Sequence, residues 1–108
     1  SLSILSGVKV YVDIRDSDGI DCGDVFIDML KRLGAKVMKN FGLTCMHLVF
    51  KDGTVGTLNR YRYRQLETKP FVVGLQWIVE CAKKLQHLDE TQYAINLEGI
   101  NITGVNKV

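Results

Sequence analysis

Three cysteines and two histidines are the residues of this chain best suited to covalent or acid–base chemistry. Cys45 and His47 stand two positions apart, and a thiol needs a neighbouring base to act as a nucleophile near neutral pH. On a strand, residues i and i+2 share a face, but Cys45 falls at the edge of the apolar run that holds His47, so no catalytic residue is assigned. Cys22, Cys45 and Cys81 are odd in number and widely spaced, which fits reduced thiols better than a disulfide framework or a paired-cysteine zinc site. No P-loop, dinucleotide fingerprint or HExxH motif occurs, so neither a cofactor nor a metal is expected. Arg60-Tyr61-Arg62-Tyr63-Arg64 is the other chemistry-bearing stretch: its cations and rings would suit a nucleic-acid backbone and stacked bases. On a helix, however, Arg60 and Arg64 share a face while Arg62 points away. A solvated charged face is the simpler reading, and DNA is retained as an alternative partner.

Charge is unevenly placed. The net charge is only +2, too small to argue for nucleic acid by itself. From Asp13 to Asp28, six Asp stand against Arg15, a balance of −5. From Lys51 to Lys69, five basic residues stand against Asp52 and Glu67, a balance of +3. A protein with two such faces offers different partners different signs.

The elements that must position these groups alternate. Val8–Ile14 is apolar and β-branched and predicts a buried strand. Arg15–Gly23 holds Asp, Ser and Gly and reads as a loop. Asp21 or Gly23 would cap a helix over Asp24–Leu33, whose Phe26, Met29, Leu30 and Leu33 keep one-sided spacing, with Gly34 as its left-handed terminator. Ala35–Phe41, Met46–Lys51 and Phe71–Val73 read as further strands, the second of these closed by Asp52-Gly53. Leu75–Leu85 carries so wide an apolar arc that a central, mostly buried helix is expected. Arg60–Arg64 alternates like a strand, yet with Thr57 and Leu58 it equally makes a helix burying Leu58, Tyr61 and Leu66.

At 108 residues the chain holds one domain, expected over residues 1–96, with 97–108 as a tail, linker or terminal strand. It opens on Ser1 and reads as a piece of a longer protein. No run approaches the roughly 18 apolar residues of a membrane span and no signal peptide is present, so no membrane partner is expected. Asn101-Ile102-Thr103 matches a glycosylation acceptor pattern and is read as chance.

Several of these segments resemble one family. Gly34-Ala35-Lys36-Val37 at the helix-to-strand turn, Met46-His47-Leu48-Val49, Trp77-Ile78-Val79-Glu80-Cys81 and Leu88-Asp89-Glu90 with Tyr93 resemble the signature segments of BRCT domains. The match runs over Leu5–Asn96. The resemblance implies an α/β fold, a single BRCT domain with a small four-stranded parallel sheet flanked by three helices. It implies a non-catalytic protein–protein interaction module in a nuclear DNA-damage-response or cell-cycle protein. Trp77 is then a core residue, and His47 hydrogen-bonds within the fold.

Family members that bind phosphopeptides hold the phosphate with a hydroxyl and a backbone amide after the first strand and a cation near the second helix. A dianion wants such convergent donors. Carried onto this chain, the resemblance implies Ser17 as hydroxyl, Gly19 (or the amide of Asp18) as backbone donor, Thr57 as second hydroxyl and Arg60 as cation. The chain departs from the pattern in two ways: Asp18 separates Ser17 from Gly19, and Asn59 stands where the cation is usual. The plain alternative is a turn at Ser17–Gly19, with Arg60 paired to a nearby Asp. The expected partner is a phosphorylated or unmodified protein, with a second BRCT domain possible elsewhere in the parent chain or on a partner. A structural or dimerising role without phosphate is the alternative function.

Overall fold

The computed structural model describes residues 2–98; Ser1 and residues 99–108, with the Asn101-Ile102-Thr103 pattern and most of the tail, lie outside the described residues. Four strands, β1 (Lys9–Ile14), β2 (Lys36–Val37), β3 (His47–Lys51) and β4 (Phe71–Val73), form one parallel sheet in the order β2-β1-β3-β4. Three helices accompany them: α1 (Asp24–Arg32), α2 (Val55–Arg62) and α3 (Leu75–Lys84). From β1 the chain steps to one side, into β2, and from β3 it steps to the other, into β4. Because such crossovers are right-handed, α1 and α2 must lie on opposite faces.

The strands are apolar on both faces, as a covered parallel sheet requires. Val10, Ile14, Val49 and Val73 meet Leu30 and Leu33 of the first helical segment and Trp77, Ile78 and Cys81 of α3. Leu48, Phe50 and Val72 meet Leu58 of α2, together with Phe41, Cys45 and Leu97. Trp77 is fully buried, and its indole N–H donates to the Leu88 carbonyl at 3.0 Å, so the large ring keeps its polar handle satisfied.

Three expectations change. The second strand is two residues long and not seven: after Met38 donates to Val10 the chain leaves the edge, so that Phe41 can stack on Tyr11 with ring centroids 5.6 Å apart. Helix α3 ends at Lys84, because Leu85 adopts a left-handed backbone (φ 50) and turns out to solvent; the helix covers the sheet with one face instead of lying centrally. Arg60–Arg62 is helical, but Leu66 lies beyond the helix and is exposed. Gly34 terminates α1 with φ +95, as expected, and a Cβ there would lie 2.4 Å from the Leu2 carbonyl.

The chain closes along the edge of β4. Gly74 donates to Tyr93 at 3.1 Å and Ile95 to Val72 at 2.9 Å, with an antiparallel bridge between Val73 and Ala94. That pairing covers backbone groups an edge strand would leave open. Leu97 is buried in the core beside α2 and Glu98 pairs with Lys69 at 2.6 Å, so packing continues past residue 96. Among the described residues no helix is long and apolar enough to cross a membrane.

Candidate functional site

The helices leave β1 and β3 toward opposite faces, and the C-terminal ends of such strands form the crevice where open α/β sheets take ligands. Ser17 and Gly19 lie in the turn after β1. Asp16 organises that turn: one carboxylate oxygen accepts from the Asp18 and Ile20 amides at 2.9 and 3.0 Å, and its carbonyl accepts from the Gly19 amide at 3.0 Å. Both backbone donors foreseen for a phosphate are thus engaged within the turn. Ser17 is exposed, and among the described residues its hydroxyl has no hydrogen-bond partner.

Thr57 comes to the same end of the sheet but faces inward. It is 3% exposed, with its hydroxyl 3.2 Å from that of Thr54, the residue that caps α2 by accepting from the Thr57 amide. Asp13, buried at the end of β1, accepts from the Thr54 amide at 2.8 Å and pairs with Arg15 at 3.1 Å. Gly53 permits this approach, since a Cβ there would stand 2.5 Å from the Asp13 carboxylate. The partial positive charge of the α2 N-terminus is therefore answered by the chain's own carboxylate.

Arg60 is carried elsewhere. It is exposed and lines a cavity of about 540 Å³ with Phe41, Leu43, Tyr63, Arg64 and Thr68. Leu43 and Tyr63 are 76% and 85% exposed at its rim. Among the described residues Arg60 makes no ion pair or hydrogen bond. The structure brings Ser17, Gly19 and Thr57 to one end of the sheet, and gives Arg60 different neighbours.

The other two arginines are structural. Arg62 donates to the Leu97 carbonyl at 3.1 Å. Arg64 is buried, donates to the carbonyls of Cys45 (3.0 Å), Thr68 (3.2 Å) and Gly42, and lies 4.2 Å over the Phe41 ring. Burial draws its pKa below the ordinary arginine value, with a small opposing effect from Cys45. Arg64 thus leaves the face it would have shared with Arg60 on a continued helix. A phosphate backbone needs several outward cations, and this stretch presents one.

Among the described residues no nucleophile–base pair forms. The Cys45 thiol donates to the His47 and Lys9 carbonyls, and burial pushes its pKa up. Burial likewise raises Cys81, whose sulfur accepts from the Leu88 amide at 3.5 Å. His47 hydrogen-bonds instead to Glu90, Nε2 to Oε2 at 2.6 Å, and His87 meets the same oxygen at 2.7 Å. Burial alone would raise the Glu90 carboxyl, but the hydrogen bonds from His87 and His47 outweigh it and hold the pKa below the usual value.

Residues 1–82 match the profile of the BRCA1 C Terminus (BRCT) domain. This chain belongs to the BRCT family. The BRCT domain is 32% identical over 91 residues to microcephalin of Macaca fascicularis and 31% identical to microcephalin of Homo sapiens, in each case over 83% of this chain and 10% of the relative. It therefore spans about a tenth of the length of the curated relatives it matches. Its fold is similar to the first BRCT domain of the DNA-repair protein XRCC1 (TM-score 0.68, 19% identity, 87% of this chain and 67% of that one). It is also similar to the C-terminal BRCT domain of human XRCC1 (0.69, 10% identity, 88% and 95%) and to the BRCT domain of human REV1 (0.63, 18%, 89% and 91%). The parallel sheet and three helices expected of the family are present, and BRCT domains are in general non-enzymatic protein–protein interaction modules.

Sequence reasoning missed the Asp13–Thr54 contact, the cavity beside Arg60 and the His47–Glu90–His87 cluster. The first two had no one-dimensional signal, because they join residues 41 and about 20 positions apart. Part of the third was visible, as His87 and Glu90 stand three apart.

Proposed function

We propose that this BRCT domain is the partner-docking module of a nuclear DNA-damage-response or cell-cycle protein, and that it takes its partner in the cavity beside α2 without requiring phosphate. The observation that carries this reading is one guanidinium, Arg60, with no counter-ion among the described residues, set between the exposed Leu43 and Tyr63 over a floor of Phe41 and Arg64. Apolar walls with one uncompensated cation fit an extended protein segment that offers an aliphatic or aromatic side chain next to a carboxylate.

A phosphopeptide reading is the second one. Its support is the open Ser17 hydroxyl at the C-terminal ends of β1 and β3, with Gly19 and Thr57 at the same end, although Arg60, the cation foreseen for it, lines the separate cavity. Against it stand the carboxylates of Asp16 and Asp13, which already hold the local donors and would repel a dianion.

Titration of the isotope-labelled chain with two matched peptide pools separates the readings by NMR. One pool carries Leu or Phe beside Asp or Glu; the other carries phosphoserine or phosphothreonine. Saturable amide shifts at Leu43, Arg60, Tyr63 and Thr68 with the unphosphorylated pool, lost in Arg60→Glu, are expected. Shifts at Ser17–Gly19 and Thr57 that need the phosphorylated pool would replace this reading with the second. Silence at the cavity with both pools, or concentration-dependent self-association burying it, would overturn docking there.

A further inference from the structure

The His47, His87 and Glu90 cluster is used by neither face discussed above. Three separate elements bring it together: β3 supplies His47, the turn after α3 supplies His87, and a 3-10 turn over Glu90–Tyr93 supplies Glu90. Both imidazole Nε2 atoms converge on one carboxylate oxygen, at 2.6 and 2.7 Å, and the three ligand-grade atoms all lie within 4.8 Å of one another. The His47 ring is fixed by packing, stacked on Trp77 at 5.6 Å and 19° and tilted against Phe71 at 5.4 Å. Its Nδ1 is buried without a hydrogen-bond partner among the described residues, so Nε2 is the nitrogen this ring presents to a ligand. His47 is 8% exposed, whereas His87 is exposed and leaves a path from solvent.

We propose that His47, His87 and Glu90 form a binding site for one divalent transition-metal ion, zinc by the chemistry of its donors. Two imidazoles and one carboxylate are the donor set of three-ligand zinc sites that keep a fourth position for water. Bonds of about 2.0–2.1 Å in a tetrahedron place ligand atoms roughly 3.3 Å apart. Both pairs to Glu90 therefore have to open by about 0.6 Å, a movement that falls to the half-buried Glu90 carboxylate and the exposed His87, because the His47 ring is fixed. Magnesium and calcium prefer all-oxygen sets and are excluded by the two nitrogens. The orphaned Nδ1 means that His47 lacks the second-shell acceptor that usually tightens such ligands, so the site binds more weakly than a fully braced one. An ion there would bolt the closing segment, which pairs with the edge of β4, onto the centre of the sheet.

The test uses the full chain in a Cys22→Ser background, because Cys22 is exposed and its thiol would collect metal by itself. Titration with Co2+ should give a visible ligand-field absorption that saturates at one equivalent and is displaced by Zn2+. Zn2+ at a hundredfold excess over its Kd should raise Tm by roughly 10 °C or more, and Mg2+ should not. His87→Ala, an exposed change that leaves the fold intact, should weaken Co2+ binding at least tenfold, and Glu90→Gln should do likewise. Absence of a saturable Co2+ spectrum in the parent, or equal binding by the parent and His87→Ala, would sink the site.

Discussion

The two faces of the sheet are held by different means. Among the described residues the α1/α3 face buries twelve residues in one cluster, while the α2 face buries seven under a single short helix. The larger face closes on Trp77, and its apolar cluster is bordered by the buried His47 ring stacked on that indole. The smaller one is completed by cations: Arg64 gathers three backbone carbonyls over Phe41, and Arg62 ties α2 to Leu97. A face too small to hold its loops by hydrophobic contact alone uses guanidinium forks to satisfy their carbonyls. The cavity at Arg60, Leu43 and Tyr63 opens on this same thinner side.

The comparison is broken or sharpened by four substitutions at three residues, read from urea unfolding at constant m-value. Trp77→Ala should have the largest effect, a loss of about 3–5 kcal/mol, the range for truncating a buried aromatic. A near-normal midpoint for that variant would remove the α1/α3 cluster as the main core. Arg64→Ala should follow, at about 2–3 kcal/mol, because it strands the Cys45 and Thr68 carbonyls and leaves Gly42 only the Cys45 amide as donor among the described residues. Arg64→Lys should recover only part of the loss, since a single ammonium lacks the two separated NH2 groups through which the fork reaches these carbonyls. Full recovery by Lys would mean that charge, not geometry, is what the α2 face needs. Arg62→Ala should cost least, about 1 kcal/mol for one half-buried hydrogen bond, and a loss equal to that of Arg64→Ala would show that the two act as one unit.

Much of the framework was legible before any coordinates. Phe71–Val73 was read at its true bounds, and the core role of Trp77 followed from a lone large ring on an apolar helix. The second strand was overread because apolar residues continue after Val37, although Met38 and Phe41 leave the strand to cover the α2 face. The arginine stretch was the hardest, since i, i+2 alternation looks the same whether the side chains end in water or on carbonyls. Of the four phosphate-site candidates, the environments of Ser17, Gly19 and Thr57 depend on Asp16 and Asp13, and nothing in residue type says which way those carboxylates turn.

Local pattern determined that β1, β3 and β4 are strands and α1 and α3 helices, where α1 ends, and that the thiols would be unpaired, because those follow from side-chain periodicity, Gly34 and cysteine spacing; it left α2 open. Tertiary structure alone decided that Asp13 answers the α2 N-terminus, that Arg64 is buried while Arg60 is exposed and unpaired among the described residues, and that His47, His87 and Glu90 meet. Each of these is a contact between groups distant in the chain or a choice of direction for a flexible side chain. Such choices are set by which partners the packed sheet places within hydrogen-bond reach, and a one-dimensional pattern carries no record of that reach.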